Sequence, residues 1–432
     1  MERISKKTST SKQVNNDSLM NKQKVGFWVR NSAPDKVTHM MHLFYAAACM
    51  YGVTFFSFSA KDVDLKTKTI KGLFWENGEF VKKTTPMPEL FDSRYGWSLD
   101  RKHPEVFELL KEHGYQVTRR GIGTKSDNSA WLLKEGKFTD CVIDSKNYGD
   151  GVIEELLEKY KIIILKPSAG SNGDGIFKLS KSENNKNKVT VHYLTDKTDE
   201  YLDDFINKHH RDLFKRKYMV QAFVDSTTLD GAPMDVRLNV ARGKNAEWET
   251  SLIYIRLGSA SYLGTNMGTE QRSSTNAVLQ SLKFQLGEDE GKRVFEEIQK
   301  FAKEFPVHFQ KKLRFMAPEL CFDIGIDRND GNKLKLFEVG VSPGATSIKF
   351  SVVPTLNVQF YRYLIDNKIY LKGKKSTANS RVESDKANAK ATLPSVAGTS
   401  NTSKPLSTDD FDISEEEAME GIAKLLKGIQ DL

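Results

Sequence analysis

"KIIILKPSAGSNGDGIFKLS", residues 161–180, sets three glycines behind a lysine that closes an apolar run. The run 161–166 has the composition of a strand, and 175–180 reads as a strand returning beside it. Glycine weakens regular structure, so Gly170, Gly173 and Gly175 mark backbone that turns sharply or approaches a ligand closely. A loop of the G-x-x-x-x-G-K-[ST] type places its lysine after the glycines, and a dinucleotide turn opens a helix. Here Lys166 comes first, the spacing is G-x-x-G-x-G, and a strand follows. The pattern describes a hairpin able to fold over a nucleotide, its tip aiming backbone N–H groups at phosphate oxygens while Lys166 supplies charge. A glycine-rich surface hairpin without ligand has the same pattern, so other segments must decide.

The first of these is "ELCFDIGIDRNDGNKLKLFEVGVSPG", residues 319–344, two strand-like runs joined at Asn329-Asp330-Gly331. Asp323 and Glu338 are expected to face each other across this pair and to share one or two divalent cations, for which carboxylates and phosphate oxygens suit Mg2+. Glu338 stands inside an apolar run, and a carboxylate there needs a reason. Asp327 and Asp330 read as turn residues. Upstream, Asp235 and Arg237 are two apart on a strand and share a face, so Asp235 is expected to orient Arg237 toward a phosphate or acyl group, with Arg256 and Asn266 following. A structural ion pair is the plainer account of the same residues.

Around these motifs the chain of 432 residues has room for two or three lobes. Residues 1–24 read as a disordered arm. A β-α-β start follows, with strands at "KVGFWV" and "GVTFFSF" and a helix at 38–51, in a lobe running to about 120. A helix at 151–160 and another at about 197–213 flank the glycine hairpin. Strands at "KYMVQAFV", "MDVRLNVAR", "WETSLIYIRLG", "ELCFDIGIDR" and "KLKLFEVG", with a helix near 288–305, describe an antiparallel sheet with helical cover. Residues 372–412 are too polar to fold alone, and 413–432 form an amphipathic helix that docks on the chain, on a protein partner or on a membrane surface.

The net charge of +8 is carried by scattered lysines interleaved with acids, which argues against nucleic acid as a partner. Cys49, Cys141 and Cys321 lack the spacing of a disulfide framework or zinc site, and a reducing cytoplasm fits. The most apolar segment, 42–58, is short for a membrane span and is broken by Gly52 and Thr54.

The order of Lys166 with its glycine hairpin, "YMVQAFV", "DVR", "R…TN" and "D…FEVGVSPG" resembles the ATP-grasp superfamily, and most of all its spore-coat-associated YheC/YheD-type branch. It is also similar to the ribosomal-protein and peptide glutamate ligases of that superfamily. The resemblance implies an α/β protein of ATP-grasp fold: an α/β pre-ATP-grasp domain over 25–120, a small lobe over 121–215 and a large lobe with the metal site over 216–371. Two antiparallel sheets would clamp the nucleotide. The implied cofactors are ATP and Mg2+. Lys166, Ser168, Gly170, Ser171, Gly173 and Gly175 would hold the phosphates, and Gln221, Ala222 and Phe223 would give backbone bonds to adenine. Asp225 would meet the ribose, and Lys125 or Lys134 would be the second nucleotide lysine. Asp323 and Glu338 would carry magnesium, while Arg237, Arg256 and Asn266 would face the γ-phosphate or an acyl phosphate.

The implied activity is carboxylate–amine ligation, on small-molecule or peptide substrates, in the cytoplasm or at the spore coat or envelope. Two positions depart from the family. Gly340 stands where the metal strand carries Glu-x-Asn, and Gly268-Thr269 replaces a Gly-Gly pair. The first removes an oxygen ligand, so a non-catalytic or weakly active nucleotide-binding coat or scaffold protein of the same fold is the alternative.

Overall fold

The structure is a computed structural model and describes residues 23–93, 99–118, 121–168, 175–259, 263, 265, 270–272, 275–341 and 352–371. Gly170, Ser171, Gly173, Asn266, the arm before 23 and the tail from 372, with its 413–432 segment, lie outside the described residues. Two compact units emerge. One takes in the described residues of Met1–Val37, Ala48–Gln116 and Leu364–Leu432, the other Thr38–Ala47 and Val117–Tyr363.

The first unit is built on a seven-stranded sheet of order β3-β4-β2-β1-β6-β7, with β5 beside β4. Its strands are β1 (Lys24–Trp28), β2 (Thr54–Phe58), β3 (Val63–Asp64), β4 (Thr69–Glu76), β5 (Glu79–Pro86), β6 (Leu90–Asp92) and β7 (Tyr115–Gln116). In sequence, α1 (His39–Met50) comes between β1 and β2, and α2 (Leu99–Lys102) and α3 (Pro104–His113) lie between β6 and β7. β1 runs parallel to both β2 and β6, as the β-α-β reading expected. The β4/β5 hairpin was not foreseen, although Asn77-Gly78 at its turn, both at positive φ, is a strong hairpin signal. Trp28, Phe56, Phe58, Ile70, Phe91 and Leu110 form its core. The apolar segment 42–58 is divided between α1 and β2, and among the described residues no helix is long and apolar enough to cross a membrane.

The second unit holds two antiparallel sheets. The six-stranded one has the order β12-β11-β10-β9-β13-β8. It comprises β8 (Ser145–Asn147), β9 (Ile162–Pro167), β10 (Phe177–Lys181), β11 (Lys188–Tyr193), β12 (Asp196–Tyr201) and β13 (Tyr218–Ala222), and is accompanied by α4 (Lys125–Glu135), α5 (Val152–Tyr160) and α6 (Leu202–Lys215). Alternation in β9 sends Ile163 and Leu165 into a core with Ile153, Leu156, Leu157 and Phe205 and leaves Ile164 and Lys166 on the opposite face. The helix expected at 197–213 starts at Leu202; the five residues before it are strand. "KYMVQAFV" pairs with β9 and β8 in this sheet, and not with the strands that follow it in sequence.

The five-stranded sheet has the order β16-β15-β14-β17-β18. Its strands are β14 (Met234–Arg242), β15 (Trp248–Leu257), β16 (Glu270–Arg272), β17 (Glu319–Asp327) and β18 (Lys333–Gly340), with α7 (Thr275–Leu286), α8 (Glu288–Phe309) and α9 (Val352–Asp366). α8 repeats apolar residues at helical spacing, Val294, Ile298, Phe301, Phe305 and Phe309, and buries them with Val236, Leu238, Phe322 and Ile324 of the sheet. The side chains of Asp235, Arg237, Cys321 and Asp323 alternate with these core residues and therefore share the other face.

Candidate functional site

Three strands carry the centre of the site. Arg237 of β14 lies opposite Asp323 of β17, and Asp323 lies opposite Glu338 of β18, so the three form one row across the sheet. Glu338 reaches this row through an irregularity. Asp323 pairs with Glu338 but Ile324 pairs with Leu336, which leaves Phe337 as an extra residue. Without that bulge, Glu338 would share the core face with Leu334 and Leu336; the extra residue turns it out.

Glu338 lines a cleft together with Lys125, Asn128, Ser145, Lys166, Met219 and Gln221. The cleft thus draws on α4, on the six-stranded sheet and on β18. Lys125 is the first residue of α4, fixed there by a capping box between Thr124 and Asp127, and its Nζ lies 3.2 Å from Oε2 of Glu338. Of the two lysines held open for the second nucleotide position, Lys125 is at the cleft and Lys134 is exposed at the far end of α4. Burial above all, with the like charge of Lys125, pulls the Lys166 ammonium down to about 7, against the opposing pull of Glu338 and Asp323. An amine so placed gains most from an anionic ligand.

The arginines divide their work differently from the sequence reading. Arg256, only 6% exposed, grips Asp235 with Nε and Nη2, both at 2.6 Å, and also reaches Asp323 at 3.0 Å. Asp235 receives the Thr265 hydroxyl as well, at 2.6 Å. Asp235 therefore orients Arg256 from the neighbouring strand and not Arg237, and Arg256 clamps Asp235 and Asp323 together. Burial works against the charge on Arg256, but Asp235 and Asp323 more than offset it and raise the guanidinium above its ordinary value. Arg237 is 22% exposed, with Nε 2.7 Å from Oδ1 of Asp323. That contact is an ion pair without hydrogen-bond alignment, and the buried Oδ1 of Asp323 has no hydrogen bond among the described residues.

This donor set fits a hard divalent cation. Two carboxylates stand side by side in one row, and one has a buried oxygen that is ion-paired with Arg237 but has no hydrogen bond among the described residues. Among the described residues no three His, Cys, Asp or Glu side chains come together to hold an ion by themselves. Magnesium commonly takes one or two carboxylates and completes its shell with phosphate oxygens and water.

Position 340 has little room for a side chain. Gly340 lies opposite Cys321 in the register, and a Cβ on Gly340 would meet Cys321 Sγ at 2.6 Å. The thiol fills the space a side chain at 340 would need. Burial pushes that thiol up to about 12. Beside it on β14, Asn239 is 2% exposed and its amide has no hydrogen-bond partner among the described residues, a feature the sequence reading did not single out.

Among the remaining expected nucleotide residues, Gln221 lines the cleft, but the N–H groups of Ala222 and Phe223 already donate to Asp144 O and Ile162 O. Those two N–H groups are thus engaged within the protein. The Lys178 ammonium lies 3.9 Å over the Phe223 ring. Asp225 accepts the Thr227 hydroxyl at 2.9 Å, and Asp327 caps the turn before β18 by accepting from Asn329 N and Asp225 N. Asp330 pairs with Lys333 and Lys335 in that turn. Ser168 donates its N–H to Lys217 O at 3.1 Å, and Gly175 has φ +75° with the Arg216 guanidinium and Tyr218 hydroxyl where a Cβ would go.

Comparison with known proteins bears on the same region. Residues 114–371 match the family described as YheC/D-like ATP-grasp. The endospore coat-associated protein YheD of Bacillus subtilis (strain 168) is 24% identical over 311 residues, which are 67% of this chain and 64% of that protein. The chain thus spans under two thirds of that relative's length. Among solved structures, D-alanine–D-alanine ligase from Coxiella burnetii is 12% identical with a TM-score of 0.42, over 85% of this chain and 99% of that one. D-cycloserine synthetase DcsG is 14% identical with a TM-score of 0.44, over 79% and 99%. At those scores the likeness carries no functional argument. The family match covers well over half of the chain, and on it the chain belongs to the YheC/D-like ATP-grasp family.

Proposed function

We propose that the chain is an ATP- and Mg2+-dependent carboxylate–amine ligase that works through an acyl phosphate. Its acid and amine would be an amino acid, a peptide or a polymer of the envelope or spore coat, a placement supported by the coat association in the name of the Bacillus relative. The observation that carries the reading is the cleft in which Lys125 and Lys166 meet Glu338, with Asp323 directly opposite Glu338.

An oxygen of the acid attacks the γ-phosphorus as the bond to the departing ADP oxygen breaks. The amine nitrogen then attacks the acyl carbon, inorganic phosphate leaves with the bond electrons, and the amine's proton passes to it. Such chemistry needs positioning and charge neutralisation and no side-chain nucleophile. Lys166 and Lys125 would hold the phosphates, and Asp225 is proposed for the ribose. Arg237, the more exposed of the two arginines at Asp323, and Asn266 would face the transferred phosphoryl group. Arg256 keeps Asp235 and Asp323 in place. Asp323 and Glu338 would hold magnesium, which neutralises phosphate oxygens when bound.

One observation favours a second reading, a nucleotide-binding coat or scaffold protein with little or no turnover: Gly340 has no side-chain oxygen, and Cys321 fills the room for a side chain. Incubation with ATP, Mg2+ and pooled amino acids, followed by phosphate release and product mass, separates the two. The ligase releases phosphate only when acid and amine are both present. Nucleotide binding with no acid-dependent phosphate release would support the scaffold.

A further inference from the structure

Four cations surround the two carboxylates, but they are not equally committed. Asp323 is 14% exposed and held by two guanidinium groups whose strands are its sheet neighbours or next neighbours. Glu338 is 46% exposed and has one ion-pair partner among the described residues, the flexible Lys125 side chain at 3.2 Å. Lys125 is also one of the two lysines lining the cleft. One pair of side chains therefore contains both a phosphate-binding cation and a metal-binding anion, each neutralising the other.

We propose that Lys125 and Glu338 exchange partners, Lys125 passing to the triphosphate as Glu338 passes to the divalent cation, so that nucleotide and metal each bind weakly without the other. The inference rests on the nucleotide reading above. A triphosphate alone would have to draw Lys125 away from Glu338 and leave that carboxylate facing phosphate oxygens. A cation alone would have to displace Lys125 and sit beside an uncompensated ammonium. Both half-steps juxtapose like charges a few ångströms apart, whereas the full exchange pairs every charge. Asp323 stays with its arginines throughout, which keeps the row in register while Glu338 changes partner.

The test is binding, read by calorimetry for ATP in EDTA and by electron paramagnetic resonance for free Mn2+, with circular dichroism to confirm folding. The wild-type chain is expected to bind ATP at least about fivefold more tightly with Mg2+ than in EDTA. Glu338→Gln should tighten ATP binding in EDTA about threefold or more and weaken Mn2+. Lys125→Gln should do the opposite, tightening Mn2+ alone while weakening ATP. Removal of a carboxylate near phosphates would by itself help ATP, so the double variant decides. In the Lys125→Gln background most of the gain from Glu338→Gln should vanish, and Lys125→Arg should restore it. An undiminished gain in that background, or weaker Mn2+ binding in Lys125→Gln, overturns the exchange while leaving the nucleotide site standing. No ATP binding to the wild-type chain under any condition removes the site reading itself, and the exchange with it.

Discussion

Placing a methyl group on Gly340 tests the steric account of the altered metal strand. The Cβ of Gly340→Ala would stand 2.6 Å from Cys321 Sγ, where ordinary contact begins at 3.4 Å, so the two must separate by about 0.8 Å. Neither can do so freely: Cys321 lies in β17, hydrogen-bonded between β14 and β18, and is buried. Overpacking of this kind costs roughly 1–3 kcal/mol. Cys321→Ala removes the sulfur and leaves a small void, for roughly 1 kcal/mol. Together the new methyl occupies the space the sulfur left, and the double variant should lose no more than about 1 kcal/mol, a coupling of roughly 1–3 kcal/mol. Urea unfolding of the four proteins at constant m reads this directly. A neutral Gly340→Ala, or a penalty that Cys321→Ala does not relieve, refutes the reasoning. If the coupling holds, an oxygen donor is properly restored only as Gly340→Asn with Cys321→Ala, and the ligase reading expects phosphate release from that pair to exceed that of the native chain.

Three further outcomes follow from the site. The Lys166 ammonium is held at about 7 in the folded chain against 10.5 when free, so the unfolded chain binds more protons between those values and stability rises with pH across that window. Lys166→Met should flatten the rise, and ATP binding to the native chain should take up a proton and weaken from about pH 6 to about pH 8.5, seen by calorimetry in buffers of different ionisation enthalpy. A proton count of zero throughout would contradict it. Arg256→Met leaves Asp235 and Asp323 buried without their shared partner and should cost about 3–5 kcal/mol in chemical denaturation; under 1 kcal/mol would show that the clamp is not structural. Cys49 is exposed while Cys141 and Cys321 are buried, with thiols pushed up to about 12, so a disulfide reagent should titrate one thiol in the native protein and three after unfolding.

The parts of this site legible in the sequence are those written in local composition. Lys166 before a glycine cluster, and two strands around Asn329-Asp330-Gly331, each announce themselves within one short stretch of chain. What escaped depends on distant partners or on a single inserted residue. The strand 218–222 joins β9 because of where β9 lies, which no local pattern records. Asp235 prefers Arg256 across the ladder to Arg237 on its own strand for the same reason. Glu338 leaves the core through the Phe337 bulge; Gly325, over which the Phe337 ring lies, was the available hint. The β11/β12 hairpin turns at Leu194 with φ 53°, so no glycine marked it. By contrast, Thr124 and Asp127 form a readable capping box that would have located α4 and hence Lys125.

Calorimetric titration of ATP with Mg2+ into the native chain, Lys166→Met and Asp323→Asn tests the nucleotide site most directly. One molecule of ATP should bind per native chain, with affinity reduced roughly tenfold or more in each folded variant, as expected for loss of a charge-assisted phosphate or metal contact. Absence of binding to the native chain, or affinity untouched by both substitutions, would contradict the account.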